Sequence, residues 1–181
     1  RNWNYRGGGI VLKVDATNLD LARIKAKTLI ESAPWIRKFQ GKVFVLKFGG
    51  NAMVDEQLQK AFAEDVAFLN LVGIKAVVVH GGGPQITSRL ADLGLKSEFV
   101  DGLRVTSSEA ISVIRDVLMN EISTPLANMI EASGAKAAVF NGETEGLFKA
   151  SITRADLGLV GEVVEVNASV IANSLEANLI P

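Results

Sequence analysis

Val43-Phe44-Val45-Leu46-Lys47-Phe48-Gly49-Gly50-Asn51 and Ala76-Val77-Val78-Val79-His80-Gly81-Gly82-Gly83-Pro84 are two versions of one phrase, a short apolar run followed by glycines. A continuous apolar run bounded by glycine suits a strand buried in a parallel sheet, whose two faces are both covered. A helical pattern follows each phrase. Residues 55–71 carry Leu58, Phe62, Val66 and Leu69 on one face, and Gly73 closes the helix. Residues 85–93 form the next helix, with Pro84 suited to its first turn and Gly94 at its end. Two strand-loop-helix units in succession predict an α/β fold with a mainly parallel central sheet. Right-handed crossover then places both glycine loops on one edge of that sheet. Open α/β sheets bind ligands at that edge, so the loops can face one site.

Upstream, residues 1–19 read as a poorly ordered leader or one short strand, with Gly7-Gly8-Gly9 ahead of an apolar run to Val14. No long apolar core is followed by a small-residue cleavage site, so this does not read as a secretion signal. Residues 20–38 turn helical, with Leu21, Ile24, Leu29, Ile30 and Ile36 near the helical period and Asp20 as N-cap. Pro34 is expected to kink or end that helix. Residues 39–181 form the remaining lobe.

Downstream, residues 99–106 predict a strand or hairpin that holds Gly102-Leu103-Arg104-Val105-Thr106. Ser107 or Ser108 caps a helix reaching about 119, and Pro125 breaks it, with Thr124 capping a second helix that ends at Gly134. Residues 136–140 predict a third buried strand, 147–152 and 162–166 two more, and 169–175 a helix. Leu179-Ile180-Pro181 reads as another strand entering the sheet.

Composition narrows the chemistry. The 181 residues include no cysteine, which excludes disulfides, thiolate metal sites and a cysteine nucleophile. One histidine, His80, excludes a two-histidine metal site and argues against a Ser-His-Asp triad. With 19 basic against 20 acidic residues, bulk charge offers no pull toward nucleic acid or an anionic membrane. No apolar run approaches the roughly 20 residues of a membrane span.

Three places remain as candidates. Lys47 stands at the end of a strand before Gly49 and Gly50, whose backbone N–H groups can approach an anion without Cβ obstruction. Its ammonium can neutralise charge on a transferring phosphoryl group; equally, its stem can pack on the sheet while its head reaches water. Gly81, Gly82 and Gly83 are costly to order between strand and helix, which points to something approaching the backbone there. The following helix N-terminus adds positive potential. The alternative is a plain tight turn, and His80 reads as a residue that organises the loop rather than an acid-base catalyst. Arg104 can grip a carboxylate with two parallel N–H bonds, or form a surface ion pair. No Gly-Lys-Ser/Thr triplet makes either loop a Walker A motif, and neither is Gly-x-Gly-x-x-Gly. No residue is assigned to a metal.

Taken together these stretches resemble the N-acetyl-L-glutamate kinases of the amino acid kinase superfamily. The resemblance rests on Lys47-Phe48-Gly49-Gly50-Asn51-Ala52-Met53, Val78-Val79-His80-Gly81-Gly82-Gly83-Pro84-Gln85-Ile86 and Gly102-Leu103-Arg104-Val105-Thr106, in that order and spacing. Ala61-Phe62-Ala63-Glu64-Asp65-Val66, Leu95-Lys96-Ser97-Glu98-Phe99 and Gly158-Leu159-Val160-Gly161-Glu162-Val163 are similar too. The match runs from about residue 25 to 181.

The resemblance implies a three-layer α/β/α fold. It implies transfer of the ATP γ-phosphoryl group, with Mg2+, to the side-chain carboxylate of N-acetyl-L-glutamate, a cytoplasmic step of arginine biosynthesis. In this pattern Lys47 stabilises the transition state. Gly49, Gly50 and Gly81 contact phosphate, Gly82 and Gly83 contact the acetylglutamate, and Arg104 holds its α-carboxylate. The family also has a C-terminal half that builds the nucleotide site. This chain ends before those motifs, so it is expected to hold the substrate-binding lobe and to be inactive alone. Residues 140–147 replace a Ser-Gly-Lys/Glu-Asp turn, and residues 120–125 bring a proline into a stretch that normally lacks one. The 20–38 segment resembles an N-terminal helix of arginine-inhibited members, which implies a homo-oligomer, dimer or hexamer. Rival readings are a kinase of the same superfamily acting on aspartate, carbamate or UMP, and a non-catalytic ligand-binding module.

Overall fold

A computed structural model describes residues 4–6, 9–11, 16–152 and 154–181. The chain divides into two compact units, Arg1–Gln40 and Gly41–Pro181. In the first, β1 (Asn4–Arg6) and β2 (Gly9–Val11) pair antiparallel. The rest of the leader, residues 1–3, 7–8 and 12–15, lies outside the described residues. Helix α1 (Ala16–Phe39) starts ahead of Asp20, which is therefore inside the helix, 3.9 Å from Arg23. It also runs through Pro34 instead of ending there. Proline removes one helical hydrogen bond, but the turn beyond it re-forms, with the Gln40 N–H donating to the Ile36 carbonyl at 2.8 Å. Trp35 and Phe39 stack with ring centroids 6.3 Å apart across the same turn.

In the second unit, β3 (Val43–Phe48), α2 (Glu56–Leu71) and β4 (Lys75–His80) form a β-α-β unit whose strands are parallel. The Asp55 carboxylate caps α2 by accepting from the backbone N–H groups of Gln57 and Leu58, which serves two donors that the first turn leaves orphaned. Successive residues of a strand face opposite ways. Phe48 is 3% exposed and packs with Ala63 and Val66 of α2, whereas Val45 is 67% exposed. The pair is thus parallel, as the apolar runs require; among the described residues β3 is covered on one face only, while the successive Ala76 and Val77 of β4 are both buried. On α2 the buried positions are Ala63, Val66 and Ala67, while Leu58 is exposed. Alanines let the helix lie close to the sheet.

Helix α3 (Gly83–Asp92) buries Ile86 and Leu90 against Ala110 and Val117. Strands β5 (Phe99–Val100) and β6 (Leu103–Arg104) form a hairpin over Asp101-Gly102, whose φ angles of 52° and 79° are those of a tight mirror-image turn. Ser107 caps α4 (Ser108–Asp116) by accepting from the Ala110 N–H. The expected second helix starts at Thr124, but the chain stays helical up to it instead of breaking. A π-helical turn, Val117–Ser123, hands over directly to α5 (Thr124–Ala132). The wider turn lets the Thr124 N–H reach back five residues to the Met119 carbonyl. Pro125 then falls in the first turn of α5, where its missing donor costs least.

Leu126 and Ile130 of α5 join Phe48, Ala63, Val66 and Ile180 in one core. Residues 136–140 do not form the expected regular strand; they make a single parallel bridge, Ala137 to Ile180. The Ile180 N–H donates to the Lys136 carbonyl, and the Pro181 carbonyl accepts from the Val78 N–H. Leu179-Ile180-Pro181 therefore lies between β4 and residues 136–138, as a strand entering the sheet does. Strands β7 (Phe148–Ile152) and β8 (Gly161–Val166) form an antiparallel hairpin, bulged between Lys149 and Ala150, and α6 (Ser169–Glu176) follows. Among the described residues no helix is long and apolar enough to cross a membrane.

Candidate functional site

The parallel register ends level, with Phe48 opposite His80. Both glycine loops therefore leave the same edge side by side, as the crossover demands. Lys47 lies opposite Val79, one residue inside that edge, and is exposed. Its stem bends over the first loop: a Cβ on Gly49 would lie 3.9 Å from the Lys47 Cε. Among the described residues its ammonium has no hydrogen-bond or ion-pair partner. Gly50 then takes φ 62° and opens a short 3-10 turn, Gly50–Met53, a left-handed step that glycine takes without steric cost.

In the second loop the glycines divide their work. A Cβ on Gly82 would lie 2.8 Å from Leu118 Cδ2 and 2.9 Å from Ile122 Cδ1, so the bare backbone is what lets the loop seat against the π-helical turn. Gly81 and Gly83 have nothing within 4 Å of the same position, which leaves their backbone open to approach. His80 holds the loop from beneath. Its Nδ1 lies 2.9 Å from the Gly81 carbonyl oxygen and its Nε2 2.6 Å from Ser123 Oγ. A carbonyl only accepts, so in the neutral ring Nδ1 carries the proton and donates to Gly81, and the Ser123 hydroxyl donates to Nε2. The ring's two polar atoms are both engaged within the protein, which fits the loop-organising role of His80.

Arg104, at the end of β6, reaches the same loop. It donates to the Gly83 carbonyl at 3.3 Å and to Thr87 Oγ1 at 2.9 Å. It also donates to Ser97 Oγ, and its Cζ lies over the Phe99 ring, 4.6 Å from the centroid. Its hydrogen-bond partners, two hydroxyls and a carbonyl, are neutral. Stacking on an aromatic face favours the cation but leaves its charge without a counterion.

The strand that carries Arg104 is fixed at both ends. After it, Thr106 is buried and bridged to Gly158: the Thr106 N–H donates to the Leu157 carbonyl at 2.9 Å, and the Leu159 N–H donates to the Thr106 carbonyl at 2.8 Å. Gly158, at φ 69°, admits this because a Cβ there would stand 2.3 Å from the Thr106 carbonyl oxygen. Before it, the hairpin turn is clamped by Arg154, which contacts Asp101 at 2.7 Å and Asp156 at 2.6 Å. The hydrogen bond from Arg154 holds the Asp156 carboxyl below the usual carboxylate range, and Asp156 first and then Asp101 raise the Arg154 guanidinium.

A cavity of about 780 Å³ lies on the open face of the sheet, among Val43, Val45, Val79, Leu147 and Ile171. Its walls are largely aliphatic, and its arginine, Arg115, is already paired with Glu143. Lys47, Arg104 and the glycines of the two sheet-edge loops do not line it, so a charged ligand is better served at the loop edge. Among the described residues no group of three or more His, Asp or Glu side chains is arranged to hold a metal.

The structure thus brings Lys47, Gly49, Gly50, Gly81, Gly82, Gly83 and Arg104 to one edge, with the Cβ side of Gly82 turned inward against Leu118 and Ile122. Sequence reasoning missed what holds them there: Ser123, Leu118 and Ile122 beneath the second loop, and Ser97, Thr87 and Phe99 around Arg104. Only the hairpin had a readable signal, the Asp101-Gly102 pair.

The chain is similar to known proteins over most of its length. The Amino acid kinase family pattern matches residues 42–181. Acetylglutamate kinase of Arthrobacter sp. (strain FB24) is 49% identical over 174 residues, 92% of this chain and 56% of that protein. Acetylglutamate kinase of Bifidobacterium longum subsp. infantis is 49% identical over 164 residues, 87% of this chain and 54% of that protein. The chain spans about half the length of these curated relatives. Among solved structures, N-acetylglutamate synthase from Neisseria gonorrhoeae, complexed with coenzyme A and N-acetyl-glutamate, superposes with a TM-score of 0.70 at 21% identity, over 86% of this chain and 36% of that one, a likeness of fold. The protein smu.665 from Streptococcus mutans UA159 gives 0.68 at 25% identity, over 78% of this chain and 57% of that one. With the family pattern covering the whole β-α-β unit and both glycine loops, this chain belongs to the amino acid kinase family.

Proposed function

We propose that this chain is the acetylglutamate-binding part of an N-acetyl-L-glutamate kinase, which moves the γ-phosphoryl group of ATP to the side-chain carboxylate of N-acetyl-L-glutamate in cytoplasmic arginine biosynthesis. The observation that carries the reading is the pair of cations at one sheet edge. Lys47 has no partner and Arg104 has only neutral hydrogen-bond partners among the described residues, and both stand beside glycine loops. The 49% identity to acetylglutamate kinases supports the choice of substrate.

On this reading Arg104 takes the α-carboxylate of the substrate, exchanging the Ser97 and Thr87 hydroxyls for a charged acceptor. The backbone at Gly82 and Gly83 holds the acetylglutamate and the moving phosphoryl group, and the open backbone at Gly81 contacts phosphate. Gly49 and Gly50 contact phosphate, and Lys47 neutralises the charge that spreads over the phosphoryl oxygens. Mg2+ arrives with ATP as part of the substrate. The attacking carboxylate, with an ordinary pKa of about 4, is already ionised at neutral pH and needs no general base. Positioning and charge neutralisation suffice. That suits a site whose histidine is engaged in holding a loop.

A thermal-shift panel tests the substrate. N-acetyl-L-glutamate should stabilise the chain, while aspartate, carbamoyl phosphate and UMP should not. Stabilisation by UMP alone would give the site to another branch of the family. A coupled ADP-release assay on the chain alone should show no turnover above background. Turnover above roughly 1 per second would mean that this lobe is a complete kinase.

The homo-oligomer we assign to α1. Its Ile24, Leu29 and Ile30 are more than half exposed, apolar surface that a second copy can cover. Deleting residues 1–38 should lower the oligomer size by light scattering and leave the lobe folded by circular dichroism. An unchanged size, or an unfolded lobe, returns the helix to its own domain.

A further inference from the structure

We infer that Ser123, on the π-helical turn, is a positioning residue for the glycine loop and acts through His80. The inference rests on the reading that this loop binds N-acetyl-L-glutamate. π-helical turns inside α-helices are uncommon and cost hydrogen-bond quality, and they recur where a side chain has to be aimed. Here the turn Val117–Ser123 meets the loop at two separate points. Leu118 and Ile122 close over Gly82, where a side chain would lie within 3 Å of both. Ser123 meets His80 Nε2 at 2.6 Å, and His80 in turn meets the Gly81 carbonyl at 2.9 Å. The chain of bonds runs from the turn, through the ring, to the loop backbone.

Its consequence is directional. With the Gly81 carbonyl drawn down to the ring, the peptide that follows is held in one orientation, and the open Gly81 and Gly83 backbone is presented at the sheet edge. The Gly83 carbonyl is drawn the other way, by Arg104 and by the Thr87 hydroxyl at 2.9 Å. A loop of three glycines would otherwise sample many orientations, each a loss of affinity. Loss of the Ser123 hydroxyl frees the ring to rotate and returns that freedom to the loop. Threonine keeps the hydroxyl, so it can keep the bond.

The chain has one histidine, so the ring nitrogen spectrum of the 181-residue protein reports His80 alone. The expected result is that the neutral form of the ring is the Nδ1–H tautomer. Ser123→Ala should shift the ring nitrogens and the Gly81 and Gly83 amides, and should raise the Kd for N-acetyl-L-glutamate about fivefold, the weight of one hydrogen bond. Ser123→Thr should restore both. His80→Phe, which keeps a ring and removes both bonds, should move the same glycine amides if Ser123→Ala does not fold. The inference is overturned by glycine amides that stay in place in the alanine and phenylalanine variants, by an unchanged Kd in a folded Ser123→Ala, or by a threonine variant that behaves like alanine. A wild-type protein that binds no N-acetyl-L-glutamate overturns the substrate reading instead, and the ring and amide signals then decide the positioning role by themselves.

Discussion

The two glycine loops leave one sheet edge at the same level and meet opposite surroundings. Around Gly50 there is open space, and Lys47 beside it has no partner among the described residues. The second loop is held from three directions: by Ser123 through His80, by Leu118 and Ile122 against Gly82, and by Arg104 on the Gly83 carbonyl. Glycine serves both, for different physical reasons. In the first loop it supplies a positive φ; in the second it supplies a gap between packed side chains. The contrast suits the proposed chemistry, in which one loop follows a moving charge and the other holds an acceptor still.

The largest effect expected from breaking this contrast is at Gly158, which supports the strand behind Arg104. Gly158→Ala sets a Cβ 2.3 Å from a backbone oxygen at φ 69°. Strain and overpacking together should cost about 3 kcal/mol in urea unfolding. A loss below about 1 kcal/mol would show that this support yields easily. Next comes the loop itself. Gly82→Ala should cost about 1–2 kcal/mol, because Leu118 and Ile122 have to move, and Gly81→Ala should stay within about 0.5 kcal/mol. Equal costs would erase the division of work among the glycines.

On the open side, Lys47→Ala should change unfolding by no more than about 0.5 kcal/mol, since nothing depends on its ammonium. A larger loss would reveal a structural partner and end the contrast between the loops. The smallest effect concerns the clamp on the Arg104 hairpin. Asp156 titrates lower in the folded chain than in the unfolded one, so its contribution is full above the unfolded carboxylate pKa of about 4. That contribution fades as the pH falls through the lower folded value. Asp156→Asn should therefore flatten the melting temperature below about pH 4 and leave its slope between pH 6 and 8 unchanged. An unaltered acid limb would mean that the Arg154 pair holds nothing.

The β-α-β unit was legible because its signals are local. Apolar runs, the glycines that follow them and the glycines that close the helices each act within a few residues of themselves. The break at Pro125 is misjudged for the same reason. A proline's local penalty is visible in sequence, but the π-helical turn that accommodates Pro125 answers to packing of Leu118 and Ile122 on a loop some forty residues away. Residues 136–140 read as a full strand, yet their pairing depends on what lies beside them, here a single bridge to Ile180.

Of the site, sequence by itself determined which groups carry charge and which loops lack side chains: Lys47, Arg104 and the glycines are matters of residue type and spacing along the chain. Tertiary structure alone decided that Gly82 faces inward while Gly81 and Gly83 stay open, that His80 is spent on Ser123 and the Gly81 carbonyl, and that Arg104 lies on Phe99 with neutral partners. Each of those facts is a distance between residues far apart in sequence. No local pattern carries that distance, because it exists only once the helices have packed.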